Sequence, residues 1–112
     1  MAIPLIRICR TAHIKTFVVL VPLLLDSDPD VRIIALAAIN GTSDARLLDA
    51  VARTLDAEPD ARAAAAAIDV LYGAGDTRLR SVLPRLRARF PADPFVDFMA
   101  DLLGAGPSGD AR

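Results

Sequence analysis

The sequence is poor in several residue types on which common functional sites depend. It has a single cysteine, a single histidine, no tryptophan, and aromatic residues make up only 4% of its 112 residues. One cysteine, Cys9, excludes an internal disulfide and a cysteine-cluster zinc site, and fits a reducing compartment. With 13 basic and 14 acidic residues the net charge is -1, so no overall field favours nucleic acid or a membrane surface. We therefore predict a cytoplasmic protein.

Catalytic patterns are equally scarce. His13 has no acid or cysteine near it in sequence, and no serine lies in the context of a nucleophile elbow. The glycines at 73–75 follow a predicted helix, where they end it, and do not form a phosphate-binding loop. We predict no catalytic residue, no metal ligand and no cofactor, and hence a protein that is not an enzyme.

The apolar run "FVVLVPLLL" at 17–25 superficially resembles a signal peptide. It is far shorter than the ~20 residues that a membrane-spanning helix needs. Pro22 interrupts it, and the acidic stretch "DSDPD" follows where a small-residue cleavage site would be. These features predict no membrane span, with an uncleaved export or anchor segment as the alternative.

What the sequence does contain is a repeat. "DSDPDVR" at 26–32 recurs as "DAEPDAR" at 56–62, and "GTSDARLL" at 41–48 is followed by "GAGDTRLR" at 73–80. A third acid-proline pair follows at 93–94. Alanine and leucine, which favour helices, supply much of the apolar content. A period of about 30 to 35 residues in a helical sequence is typical of stacked helical repeats.

Local signals predict where the helices begin and end. Asp28 can cap a helix whose first residue is Pro29, and that helix ends near Asn40. A second helix begins near Ser43, which we interpret as its cap, and a third begins near Pro59 and ends at Gly73. Helical spacing then predicts the inward-facing residues. By helix they are Val31, Ile34, Ala35, Ala38 and Ile39; Leu47, Leu48, Val51 and Leu55; Ala61, Ala64, Ala65, Ile68, Leu71 and Tyr72; Leu79, Val82, Leu83, Leu86 and Phe90; Phe95, Val96, Phe98, Met99, Leu102 and Leu103.

The stretch "LLLDSDPDVRIIALAAI" resembles the HEAT repeat signature: an Asp-rich turn, a proline, Val-Arg, and alanines at fixed spacing. The short period resembles the PBS-lyase type of HEAT-like repeat found in many bacterial proteins. The resemblance implies an all-α fold, an armadillo-like α-solenoid (right-handed α-α superhelix) of about three helical hairpins. We expect a single domain over 1–103 and a disordered tail over 104–112. Within that domain the expected units are 1–12 (a partial N-terminal helix), 13–40, 41–72 and 73–103.

The same resemblance implies roles for residues of the repeated turns. In the family, the acids and arginines of this turn hold successive units in register. The structural residues are then Asp26, Asp28, Pro29, Arg32, Asp56, Pro59 and Arg62. Asp97 stands where the first two units have arginine, which makes the last helix a terminal cap. A calcium loop is the alternative for these acids, but neither stretch has the central glycine of an EF-hand.

The segment "TRLRSVLPRLRARF" carries five arginines and no acid. Helical spacing places Arg78, Arg85 and Arg89 on one flank of the apolar stripe, and Arg80 and Arg87 on the other. They either form a surface for an acidic protein or for nucleic acid, or cover the helix as solvated side chains. In the family, one helix layer, here 29–40, 59–72 and 94–103, lines the concave side. Its candidate partner contacts are Asn40, Asp69, Tyr72 and Asp101.

We therefore expect a non-catalytic protein–protein interaction scaffold. The alternatives are an accessory subunit of an enzyme, such as a chromophore lyase, and a nucleic-acid-binding HEAT-like protein. The scarcity of aromatic side chains for base stacking disfavours nucleic acid. An apolar N-terminal segment also predicts self-association. Its residues are Ile3, Leu5, Ile6 and Ile8.

Overall fold

The structure, a computed structural model, describes residues 18–104, and within them it contains helices and turns but no strand. Helix α1 is described over residues 18–23. The helices that follow are α2 (Pro29–Ile39), α3 (Ala45–Ala57), α4 (Ala61–Gly73), α5 (Arg78–Arg89) and α6 (Pro94–Leu102). The predicted all-α class is therefore confirmed for this part of the chain. The predictions for residues 1–12, for Cys9 and His13, for Ile3, Leu5, Ile6 and Ile8, and for the tail beyond Gly104 lie outside the described residues.

Aspartates begin four of these helices. Asp28, Asp44, Asp60 and Asp93 cap α2, α3, α4 and α6, and each carboxylate accepts a backbone N–H of the first turn. Ser43 is therefore not the cap that we predicted. The cap is Asp44, because its carboxylate accepts the backbone N–H of Arg46. The backbone N–H of Asp44 in turn donates to Thr42 Oγ1.

Glycines mark the ends of two helices. Helix α2 ends at Ile39, and Gly41 follows it with a φ of +92°. Helix α4 ends at Gly73, and Gly75 has a φ of +68°. Backbone in this left-handed region is costly for residues with a Cβ, so a glycine stops the helix at little cost. The helix ends predicted near Asn40 and at Gly73 are confirmed.

The helices pack in order along the chain. Helix α2 lies along α4, α3 contacts both α4 and α5, and α5 contacts α6. The inward faces predicted for α3 and α5 are confirmed, since Leu47, Leu55, Leu79 and Leu86 are almost inaccessible to solvent. Fully burying one such side chain stabilises a fold by roughly 1.5–3 kcal/mol. In α4 the buried positions are partly filled by alanines, which let the neighbouring helices approach closely.

The inward faces predicted for α2, α4 and α6 are partly wrong. On α4, Tyr72 is exposed, whereas Val70, which was not predicted to face inward, is buried. Ile34 is 68% exposed and Ala38 is also exposed, whereas Leu36, which the spacing did not select, is buried. Helix α2 is apolar at most positions, so its spacing could not choose one face. On α6, Phe98 and Leu102 are exposed while Ala100 is buried.

Candidate partner-binding surface

The first repeated turn, residues 26–32, is tied to the second, residues 56–62, by one arginine. Arg32 donates from Nε and Nη2 to the two carboxylate oxygens of Glu58, at 2.8 and 2.6 Å. Its Nη1 donates to the backbone carbonyl of Asp26 at 2.7 Å. The Arg32 side chain is 11% exposed and that of Glu58 is 5% exposed. The hydrogen bond to Glu58 raises the pKa of Arg32, and the two parallel N–H···O bonds form a bidentate pair.

The acids of the two turns mainly bind the backbone. Asp26 Oδ1 accepts the N–H of Asp28, and Glu58 Oε2 accepts the N–H of Asp60, both at 2.9 Å. The acid before the proline has a different role in each turn. In the first turn Asp28 caps α2, whereas in the second Glu58 is turned towards Arg32. The cap of α4 is consequently Asp60, and α4 begins at Ala61, not near Pro59 as predicted.

The second turn is also held from α5. Arg89 Nη1 donates to the carbonyl of Glu58 at 3.0 Å, and Arg89 Nη2 donates to the carbonyl of Asp56. The turn's own arginine, Arg62, is 65% exposed and pairs with Asp60 and with Asp30 of the first turn. Thus Arg89 makes the inward contacts to this turn that Arg62 does not.

The flank of α5 that faces α3 carries two further arginines. Arg78 Nη1 lies 2.8 Å from Asp49 Oδ1, and its Nη2 lies 2.7 Å from Asp76 Oδ2. Arg85 Nε donates to Asp56 Oδ1 at 2.7 Å. The side-chain hydrogen bonds from Arg78 hold the pKa of Asp76 below its usual range, despite partial desolvation. Together with Arg89, these contacts confirm the flank that helical spacing predicted.

On the opposite flank Arg87 faces α6. Its Nε donates to Asp97 Oδ1 at 3.1 Å, and its Nη2 lies 3.6 Å from Asp101 Oδ1. Asp97 is the residue that departs from the arginine of the earlier units. The acid at this position gives Arg87 a partner and so links α5 to the last helix.

Arg80, on the same flank, differs from the other four arginines of the segment. It is exposed, and it forms no ion pair or side-chain hydrogen bond with any residue between 18 and 104. It lines a pocket of about 270 Å³ at the end of α4, beside Tyr72, which is 48% exposed. The remaining lining residues are Gly75, Asp76, Thr77, Leu79 and Leu103.

The structure therefore brings together two of the predicted partner contacts, Tyr72 and Arg80. Asp69 is exposed one turn before Tyr72 but does not line the pocket. Asn40 is exposed at the end of α2. The other arginines of the segment are occupied by contacts with neighbouring helices.

A second surface feature was predicted only in part. Large apolar side chains are exposed on α2, α4 and α6, and also at Val18, Val19 and Leu25: those on the three helices are Ile34, Tyr72, Phe98 and Leu102. Sequence spacing assigned these four to the core, although Tyr72 was also predicted as a partner contact. Glu58 was missed as the partner of Arg32, although its alignment with Asp28 at a 30-residue offset is a signal that the position belongs to the turn.

Two kinds of site are missing from the described segment. No group of three or more histidine, cysteine or acidic side chains between residues 18 and 104 is arranged to hold a metal ion. None of the helices described there has the length and hydropathy to cross a membrane.

Comparisons with known proteins identified no relative of this chain. No family model matches the chain, and no curated protein or solved structure shows significant similarity to it.

Proposed function

We propose that the chain is a non-catalytic protein–protein interaction scaffold, built as a short HEAT-like α-solenoid of the right-handed α-α superhelix type. The pairing of helices supports this architecture. Helices α3 and α4 pack as one pair and α5 and α6 as the next, and α1 and α2 precede them in the chain. Contacts of α2 with α4 and of α3 with α5 join helices of the same order in neighbouring pairs, as stacking of repeats requires.

The bonds of the repeated turns also support stacking. Arg32 joins the first turn to the second, and Arg89 joins the second turn to α5. Both arginines hold one helix pair against the next. This is the register-holding role that the resemblance to HEAT-like repeats implies for such turns.

One observation carries the functional part of the proposal: α2, α4 and α6 each expose large apolar side chains, as α1 does at Val18 and Val19. Ile34 lies on α2, Tyr72 on α4, and Phe98 and Leu102 on α6. Large apolar groups exposed on neighbouring helices are a feature of protein-binding surfaces. A cytoplasmic location is part of the same proposal and rests on the sequence.

Site-specific photocrosslinking in the native cell tests this function. A photoreactive phenylalanine analogue would replace Ile34 or Phe98, and in the control it would replace Ala88, which is exposed on α5. We expect a discrete heavier adduct from positions 34 and 98, and none from position 88. Adducts of equal yield from all three positions, or none from any, would contradict the proposal.

A further inference from the structure

We propose that the pocket between α4, α5 and α6 binds a carboxylate side chain of a partner protein, held by Arg80 and flanked by Tyr72. The occupant is thus an acidic peptide segment with an apolar residue next to the acid. This inference rests on the proposed scaffold function and specifies the chemistry of one of its contacts.

The positive charge of Arg80 is available to a ligand. Each of the other arginines between residues 18 and 104 forms an ion pair with a carboxylate or donates a hydrogen bond to a backbone carbonyl. Arg80 has no such partner within that segment and stands exposed at the pocket. Its planar guanidinium can therefore receive an incoming carboxylate in bidentate geometry without breaking an internal bond.

Asp76 is the carboxylate among the described residues that line the pocket. Its Oδ1 accepts from Arg78 Nε at 3.0 Å and from the Arg78 backbone N–H at 2.9 Å. Its Oδ2 accepts from Arg78 Nη2 at 2.7 Å. Asp76 is thus neutralised by Arg78. The charge left for a ligand in this pocket is that of Arg80.

The pocket is small, and apolar side chains form part of its lining. Leu79 is buried at its base, Leu103 and the ring of Tyr72 form apolar walls, and Thr77 makes no capping hydrogen bond with its side chain. A volume of about 270 Å³ is large enough for one or two side chains. Tyrosine and arginine are also the residues in which binding energy concentrates at protein interfaces.

The number of arginines near the pocket without an acidic partner favours an acidic peptide over nucleic acid. A nucleic-acid groove needs several free cations that follow the phosphates. Here the neighbouring Arg78, Arg85 and Arg87 are paired with acids of α3, α6 and the connecting turns. One free guanidinium beside an aromatic ring matches a single carboxylate.

Peptide display against the full-length chain tests the proposal. We expect enrichment of peptides that carry Asp or Glu next to an apolar residue. One enriched peptide, labelled with a fluorophore, is then titrated by anisotropy against the wild-type chain and the variants Arg80→Ala, Tyr72→Ala and Arg53→Ala. Arg53 is the matched control, because it is 79% exposed and lies on α3 away from the pocket. Circular dichroism verifies that each variant is folded.

The proposal predicts that Kd rises at least about tenfold for Arg80→Ala and for the peptide with Gln or Asn in place of its acid. Arg80→Lys, which keeps the charge but loses the planar fork, should lie between wild type and Arg80→Ala. Arg53→Ala should bind as wild type does. Equal weakening by Arg53→Ala, unchanged binding by Arg80→Ala, or no enrichment of acidic peptides would overturn the proposal.

The crosslinking experiment separates this inference from the scaffold function. If adducts from positions 34 and 98 persist while acidic peptides fail to bind at Arg80, the pocket proposal fails and the scaffold proposal stands. If both fail, the scaffold proposal fails as well.

Discussion

The two repeated turns share most of their sequence but are held by different arginines. In the first, Arg32 turns inward to Glu58 and to the carbonyl of Asp26. In the second, the aligned Arg62 stays exposed, and Arg89 of α5 binds the turn's carbonyls. Aligned arginines in the two turns therefore have different contacts and different structural roles.

The difference shows how a repeat changes at successive units. Glu58 has one methylene more than the aligned Asp28. Like Asp28 it accepts the N–H two residues on, but it also reaches Arg32. Asp60 then becomes the cap, and α4 starts two residues later in register than α2. One change of side-chain length thus accompanies both the link between units and the shifted start of a helix.

The largest effect that we expect comes from removing one partner of the Arg32–Glu58 pair. Arg32→Met should lower the free energy of unfolding by about 3 kcal/mol, because it leaves the carboxylate of Glu58 buried without its cation. Urea denaturation followed by circular dichroism measures this. The matched control is Arg62→Met at the aligned, exposed position, which should unfold as wild type does. Equal losses from the two substitutions would remove the distinction between the turns.

A smaller loss is expected from the arginine that holds the second turn. Arg89→Leu should destabilise the chain by about 2 kcal/mol, since it leaves the carbonyls of Asp56 and Glu58 without their charged donor. The same denaturation experiment checks this value. Arg85→Leu is the control, because its single bond to Asp56 is exposed. A loss from Arg85→Leu that matches the loss from Arg89→Leu would contradict the role given to Arg89.

A still smaller effect separates the caps of the two turns. Asp28→Ala should cost about 1 kcal/mol, because α2 loses the side chain that accepts its first N–H. Asp30→Ala, two residues on, should change little, although Asp30 aligns with Asp60, the cap of α4. Thermal unfolding of the two variants compares them. If Asp30→Ala lowered the melting temperature more than Asp28→Ala, Asp30 would be the cap of α2, as the aligned Asp60 is of α4.

The weakest expected effect depends on pH. Arg78 lowers the folded-state pKa of Asp76 below its ordinary value of 3.8, so the folded chain holds this proton less tightly than the unfolded chain. The resulting stability is present above about pH 4 and is lost as pH falls through the folded-state pKa. Melting temperatures at pH 5 and pH 3 should differ less in Asp76→Asn than in wild type. An unchanged difference would contradict this contribution of Asp76.

The sequence predicts most of the secondary structure because its signals are local. Aspartates before helices, prolines at first positions and glycines after the last turns depend only on neighbouring residues. The cores of α3 and α5 could be predicted because charged residues separate their apolar positions clearly. Helix α2 has no such contrast, and the exposure of Ile34 therefore could not be predicted.

The candidate site was less accessible to prediction because it depends on tertiary contacts. Helical spacing separates the two flanks of α5 but cannot show which acids lie opposite them. Asp49, Asp56 and Asp97 occupy three of the arginines, and this became visible only after the helices were packed. Arg80 is distinguished from its neighbours by that packing alone.

The most direct test of the account is a double-mutant cycle across the two turns. The variants are Arg32→Met, Glu58→Leu and their combination, and free energies of unfolding are measured in urea. We predict a coupling energy of about 2–3 kcal/mol, with the double variant recovering much of the stability that either single variant loses. The corresponding cycle of Arg62→Met and Asp30→Ala should show no coupling. Additive losses at Arg32 and Glu58 would contradict the claim that this pair holds the two turns together.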